Sequence, residues 1–211
     1  MRHFRDFVHS IGFTLPPSLH FSSALLPDFH HVTKTYALDE ESKGRLRDYM
    51  THHTLYLDDF GHIDQGDFVL AFSFGDSDST NQKLANVVDL VCHSNPKLDV
   101  CLQQEVAKHT NLSNATEISC QDYQTTFDVA QKAKLLGLGQ RVVVVAQAWH
   151  AKRCIETCQS LGLDVVALRG VNHFPFDDPQ PWVRNPINWV IKESHRELFS
   201  GVQVSQKYQL A

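Results

Sequence analysis

From Asp67 onwards the chain alternates short apolar runs with stretches whose apolar residues recur every three or four positions. Asp67 to Phe74 (DFVLAFSF) is almost continuously apolar and closes on Gly75, which predicts a strand buried on both faces of a parallel sheet. Leu84, Val87, Val88, Val91 and Cys92 then mark one face of a helix, with Asp78, Ser79 and Thr80 as cap residues. Leu98 to Gln103 (LDVCLQ) predicts a second strand. The helix after it, from about Gln124 to Gly137, is expected to bury Val129, Ala130, Ala133 and Leu136. The four consecutive valines of Arg141 to Ala146 (RVVVVA) are β-branched and too few for a helix, so this strand is the expected sheet centre. Ala151, Cys154, Ile155, Cys158 and Leu161 give the next helical face, and Asp164 to Leu168 (DVVAL) the next strand. Ile187, Val190, Ile191, Ser194 and Leu198 mark a last helix beyond a proline-bearing loop.

Strands that alternate with helices imply right-handed crossovers and an α/β fold, a Rossmann-like three-layer sandwich with a mostly parallel sheet. Residues 1–65 have a different texture, with eight of the thirteen histidines and prolines at 16, 17 and 27. They contain one predicted helix, Leu38 to Met50, acidic at its start and basic later as the helix macrodipole favours. This segment reads as an N-terminal helical arm ahead of an α/β domain at 66–211.

Composition narrows the function classes. The 211 residues, 42% hydrophobic and 20% charged, suffice for one sizeable core. No segment approaches the ~20 apolar residues of a membrane span. The charged start and the Pro16-Pro17 break leave no signal-peptide core, so a cytoplasmic location without a membrane anchor is expected. Five cysteines without paired spacing argue against a disulfide scaffold. A net charge of -5 with scattered basic residues argues against nucleic acid and leaves a small molecule as the expected partner.

In open parallel sheets ligands bind beyond the carboxyl ends of the strands, where helix N-termini favour anions. Three stretches qualify: Ser73 to Asn81, the Gln103-Gln104-Glu105 strand end, and Gln147 to Arg153. The first has a single glycine, Gly75, and matches neither dinucleotide nor P-loop fingerprints, yet it offers backbone amides with Asp76, Asp78 and Asn81. A capped helix behind a polar turn explains the same residues without a ligand. In the third stretch His150 and Arg153 lie about 60° apart on the helix side away from the sheet, an arrangement suited to holding an anion or moving a proton. The alternative is that Arg153 pairs with a surface carboxylate while His150 merely packs. Glu117 to Asp128 adds a polar loop feeding a helix, capped by Thr125 or Thr126.

With these stretches in view the chain resembles, over roughly Asp67 to Phe199, the DUF218 family of YdcF-like, SanA-like and ElyC-like bacterial proteins. The family order is a strand with a glycine turn and a following Asn or Arg, then Glu-x-Ser and Thr-x-acid-x-Ala, then a valine-rich strand leading to His-x-x-Arg. This chain carries Phe72-Ser73-Phe74-Gly75 with Asn81, Glu117-Ile118-Ser119, Thr126-Phe127-Asp128-Val129-Ala130, Val142 to Val145 and His150-Ala151-Lys152-Arg153. It departs from the family at Gln103-Gln104-Glu105, where many members have Ser-Gly-Gly, and it lacks the SanA-like membrane anchor, which aligns it with the soluble YdcF-like type. The resemblance implies a Rossmann-like fold and a nucleotide-type ligand, S-adenosylmethionine being the named candidate. The expected ligand-binding set is Gly75, Asp76, Asn81, Glu105, Glu117, Thr126, His150 and Arg153, with His150 the catalytic candidate and the reaction open.

Three other readings compete. Ala71 to Gly75 has the look of a degraded Gly-x-Ser-x-Gly elbow, with Ser73, Asp164 and His173 in hydrolase order, although five polar residues intervene before the helix. A metal at His52, His53, Asp58, Asp59, His62 and Asp64 is disfavoured, because adjacent histidines rarely share one ion and no ligand-spaced motif occurs. A non-enzymatic sensor or partner-binding module would keep the same site without turnover.

Overall fold

The computed structural model describes residues 2–14, 36–121 and 123–210. Pro16, Pro17 and Pro27 and part of the histidine-rich segment lie outside them. The described helices are α1 (Arg2–Ser10), α2 (Glu40–His52), α3 (Asp78–Ser94), α4 (Gln104–Ala107), α5 (Thr126–Leu135), α6 (Ala151–Ser160), α7 (Pro186–Ser194) and α8 (Gly201–Tyr208). The strands are β1 (Phe60–Gly61), β2 (Phe68–Ala71), β3 (Asp99–Gln103), β4 (Ala115–Ile118), β5 (Arg141–Gln147) and β6 (Asp164–Val171). No described helix is long and apolar enough to cross a membrane. By its contacts the chain divides into two compact units, Met1–Leu55 with Phe174–Ala211, and Tyr56–His173. The sequence texture changes near residue 65, but β1 already belongs to the sheet.

The Tyr56–His173 unit is a Rossmann-like α/β sandwich. Its six strands run in the order β1-β6-β5-β2-β3-β4, with β1 antiparallel to β6 and every other pair parallel. Numbering the five parallel strands by chain order, this is 5-4-1-2-3, the doubly wound arrangement in which connections leave the central pair in opposite directions. β2 and β5 are that pair, so the topological switch point lies between their carboxyl ends.

The apolar runs dictate this placement. Alternate residues of β2 and β5, Phe68, Leu70, Val142 and Val144, pack with Val129, Ala130 and Ala133 of α5 and Cys154 and Cys158 of α6 in one core cluster. Val69, Val143 and Val145 are equally inaccessible, as expected of strands buried on both faces, and α3 contacts β2, β5 and β6. Leu136 departs from expectation: α5 stops at Leu135, and Leu136 is left exposed as its C-cap. Leu198 is likewise exposed because α7 ends at Ser194.

Asp67 fastens the amino ends of β2 and β5. Its carboxylate accepts from Arg141 Nη2 (2.6 Å) and Nε (3.1 Å) and from the backbone N–H groups of Gln140 (3.0 Å) and Arg141 (2.9 Å). These bonds, the Arg141 side chain foremost, hold its pKa down at about 2. The chain before β5 must pass close beside this carboxylate. Gly139 does so with a φ of +128°, and a Cβ there would lie 2.4 Å from the Asp67 Cβ.

In the Met1–Leu55 and Phe174–Ala211 unit, α7 contacts α1, α2 and α8 and is buried along nearly its whole length. A helix apolar on one stripe only could not take that position, and Ile187, Trp189, Val190 and Ile191 are accordingly buried on several sides. The charge it carries inward is paired, Lys192 Nζ lying 2.7 Å from Glu193 Oε1. α2 brings Leu46 and Met50 into this core, and Ser42 Oγ donates to Tyr208 Oη at 3.0 Å.

His195, the C-cap of α7, is 2% exposed. Its Nδ1 lies 2.9 Å from the Ile191 carbonyl, which requires the proton on that nitrogen, and its ring rests 4.8 Å from that of Tyr208. Burial lowers its pKa below the usual 6.5; Arg45 and Lys207 act in the same direction, and Asp39 and the Ile191 bond oppose them. A His with a depressed folded-state pKa contributes stability that is complete above the unfolded value and is lost as pH falls from there through the folded one. Melting temperature should therefore decline as pH falls below about 6.5. That slope should be shallower in His195→Gln; identical slopes in the two proteins would refute the assignment.

Candidate functional site

Beyond Ala71 the chain leaves the sheet in a turn that one side chain organises. Asn81, on the first turn of α3 and 1% exposed, accepts from the Phe74 N–H (3.1 Å) and donates to the carbonyls of Gly75 (3.1 Å) and Ser77 (3.0 Å). These bonds use both its amide hydrogens and its oxygen on the turn, so Asn81 shapes the site from within. Gly75 takes a φ of +72°, the left-handed conformation glycine adopts freely. Ser77 caps α3, leaving Asp76 exposed on the turn. From the neighbouring strand, Gln103 Oε1 accepts the Ser73 N–H at 3.0 Å.

The end of β5 is built in the same way. Gln147, wholly buried, turns its Oε1 onto the N–H groups of Trp149 (2.6 Å) and His150 (3.1 Å). This fixes the entry to α6, whose N-cap position is His150. Because glutamine ties down that entry, the imidazole serves elsewhere. Its Nε2 lies 2.9 Å from Arg153 Nη2 and 3.1 Å from Thr126 Oγ1. A guanidinium can only donate, so Nε2 is the acceptor and the ring is neutral with its proton on Nδ1. The His150 ring centroid stands 6.0 Å from that of Phe74 and 6.4 Å from that of Phe72, within apolar walls. Thr126 is available because Thr125 takes the N-cap of α5 in a capping box with Asp128.

Three expected residues, Thr126, His150 and Arg153, are thus joined by hydrogen bonds at the N-terminus of α6, one residue-turn beyond the end of β5, with the Phe74-Gly75 turn alongside. Glu105 follows β3 in α4. Glu117 is placed differently from expectation. Ala115–Ile118 is a strand rather than a polar loop, and Glu117 sits exposed on that sheet edge opposite Leu102. Asp122 lies outside the described residues. Gln103 and Gln147, within two of the candidate stretches but not in the expected ligand set, bind the backbone at the two turns.

The hydrolase order does not assemble. Asp164 opens β6 beside Arg141 at the amino edge of the sheet, while His173 lies past its other end. Eight strand residues at about 3.3 Å each separate them by roughly 25 Å. His173 Nδ1 instead meets Thr80 Oγ1 at 2.8 Å. Among the described residues no group of three or more His, Cys, Asp or Glu side chains is arranged to hold a metal.

No protein-family model, curated protein or solved structure matches the chain.

Proposed function

We propose that the chain binds a nucleotide-type or anionic small molecule at the carboxyl edge of its sheet, as a YdcF-like relative of the DUF218 proteins. The observation that carries this reading is the convergence of Arg153, His150 and Thr126 at the start of α6, beside the switch point between β2 and β5. The first amides of a helix have no partner within it and carry its positive end, and Arg153 adds a planar fork suited to phosphate or carboxylate. His150 gives this guanidinium a resting partner. When an anion takes the Arg153 N–H groups, Nε2 of His150 regains a lone pair close to the ligand, which makes His150 the group placed to accept a proton. The resemblance to the YdcF-like proteins adds S-adenosylmethionine as the first compound to test.

Arg153→Lys keeps the charge and removes the fork. It should weaken AMP or S-adenosylmethionine by about 1–3 kcal/mol, roughly fivefold to 150-fold in Kd, measured by titration calorimetry. Binding that is unchanged in both Arg153→Lys and His150→Ala would sink the proposal.

A further inference from the structure

At the ends of β3 and β4 a short hydrogen-bonded network surrounds two oxygens that receive nothing. Gln104 Nε2 donates to Glu105 Oε1 at 2.8 Å, and the Cys120 N–H donates to Gln104 Oε1 at 3.1 Å. One residue earlier, the Ser119 carbonyl accepts from Gln124 Nε2 (3.1 Å) and Lys132 Nζ (3.0 Å). Glu105 Oε2 and Gln124 Oε1 are both buried and accept no hydrogen bond from a described residue. The orientation of the Gln124 amide follows from Ser119, since a carbonyl requires the nitrogen. A buried acceptor left without a donor costs about 1–3 kcal/mol, and such groups in native proteins call for an explanation.

Gln124 lies near the anion-binding group, and Glu105 is tied to the Ser119–Gln124 loop through Gln104 and Cys120. Gln124 is two residues from Thr126, and two residues of chain span at most about 7 Å. Thr126 touches His150, and His150 touches Arg153. The Glu105 carboxylate forms no ion pair among the described residues, so a cationic donor suits it better than a neutral one.

We propose that Glu105 and Gln124 receive a primary ammonium group of the same ligand whose anionic group meets Arg153, which makes the ligand class one of compounds carrying an amine beside an anion. This rests on the anion-site reading above. Glu105 has the role of fixing which end of the ligand faces β3, and Arg153 that of holding the other end.

The test uses three probes of one size on the full chain, followed by amide chemical shifts in NMR titrations: 2-aminobutyrate, 2-hydroxybutyrate and butyrate. 2-Aminobutyrate should bind at least tenfold more tightly than the other two. Glu105→Gln, which preserves shape, should bring it down to the butyrate level without altering butyrate binding, and Gln124→Met should narrow the preference in the same sense. Arg153→Lys should weaken all three. Butyrate binding that depends on Arg153 without any preference for the amine overturns the ammonium subsite and leaves the anion site standing. Equal binding of 2-hydroxybutyrate and 2-aminobutyrate, or a preference that survives Glu105→Gln, overturns it likewise. Absence of binding by every probe, or indifference of all three to Arg153→Lys, overturns the ammonium subsite, while the AMP titration above decides the anion site on its own.

Discussion

Replacing Asn81 by alanine is expected to destabilise the protein by roughly 2–4 kcal/mol, because a buried N–H and two carbonyls lose their partners at once. At about 2–4 °C per kcal/mol for a chain of this size, the melting temperature should fall by roughly 5–15 °C. Asn81→Asp is the informative companion. It keeps the acceptor for the Phe74 N–H but sets a carboxylate oxygen against the Gly75 and Ser77 carbonyls, so it should be no more stable than the alanine variant. Thermal unfolding followed by circular dichroism measures both, and an Asn81→Ala protein melting within about 2 °C of the parent would show that the turn holds itself. The same loosening reaches the site, since Phe74 is one of the rings beside His150.

Gly139→Ala should be comparably severe, at about 3 kcal/mol or more. Two penalties combine there: a backbone conformation that L-residues seldom adopt, and a Cβ driven to 2.4 Å from the Asp67 Cβ and 2.7 Å from its Oδ2. Relief would require Asp67 to leave Arg141 and the two amides it accepts from. Gly137→Ala separates the penalties. Gly137 also has a positive φ, +68°, but nothing lies within 4 Å of the added carbon, so its cost should be only the backbone part, about 1–2 kcal/mol. Chemical denaturation of the two variants reads the difference directly, and equal losses would mean that Asp67 yields without cost.

The strands that the sequence revealed are chiefly those buried on both faces. β2, β3 and β5 announce themselves as apolar runs because their central residues are inaccessible on both faces, while the partly buried β6 shows through its Val165-Val166-Ala167-Leu168 run alone. β4 is an edge strand with a single buried residue, Ile118, so Ala115-Thr116-Glu117-Ile118 carries too little contrast to stand out from a loop. β1 is two exposed residues held by pairing to Leu168 and Ala167, an interaction set by the partner's backbone and not by β1's own side chains. The junction of His150 and Arg153 was legible from helical spacing alone, three residues apart at the start of a helix whose buried face was plain. The parts played by Gln103, Gln147 and Asn81 were not, because an amide side chain becomes a turn fastener only when the backbone groups it serves are positioned in space. Glutamine between a valine strand and a tryptophan reads equally well as a surface residue.

The pairing of Met1–Leu55 with Phe174–Ala211 has a bearing on how the protein is made. During synthesis the sheet has all its strands once Val171 has left the ribosome, so Tyr56–His173 can settle while elongation continues. The helix α2, which carries Leu46 and Met50, emerges far earlier, yet the helix α7 that it contacts in its unit is translated afterwards. Until then that contact cannot form, and closing so long a loop is slow. The interval in which a nascent chain is open to chaperone capture or to aggregation is therefore set by the earliest residues waiting for the latest.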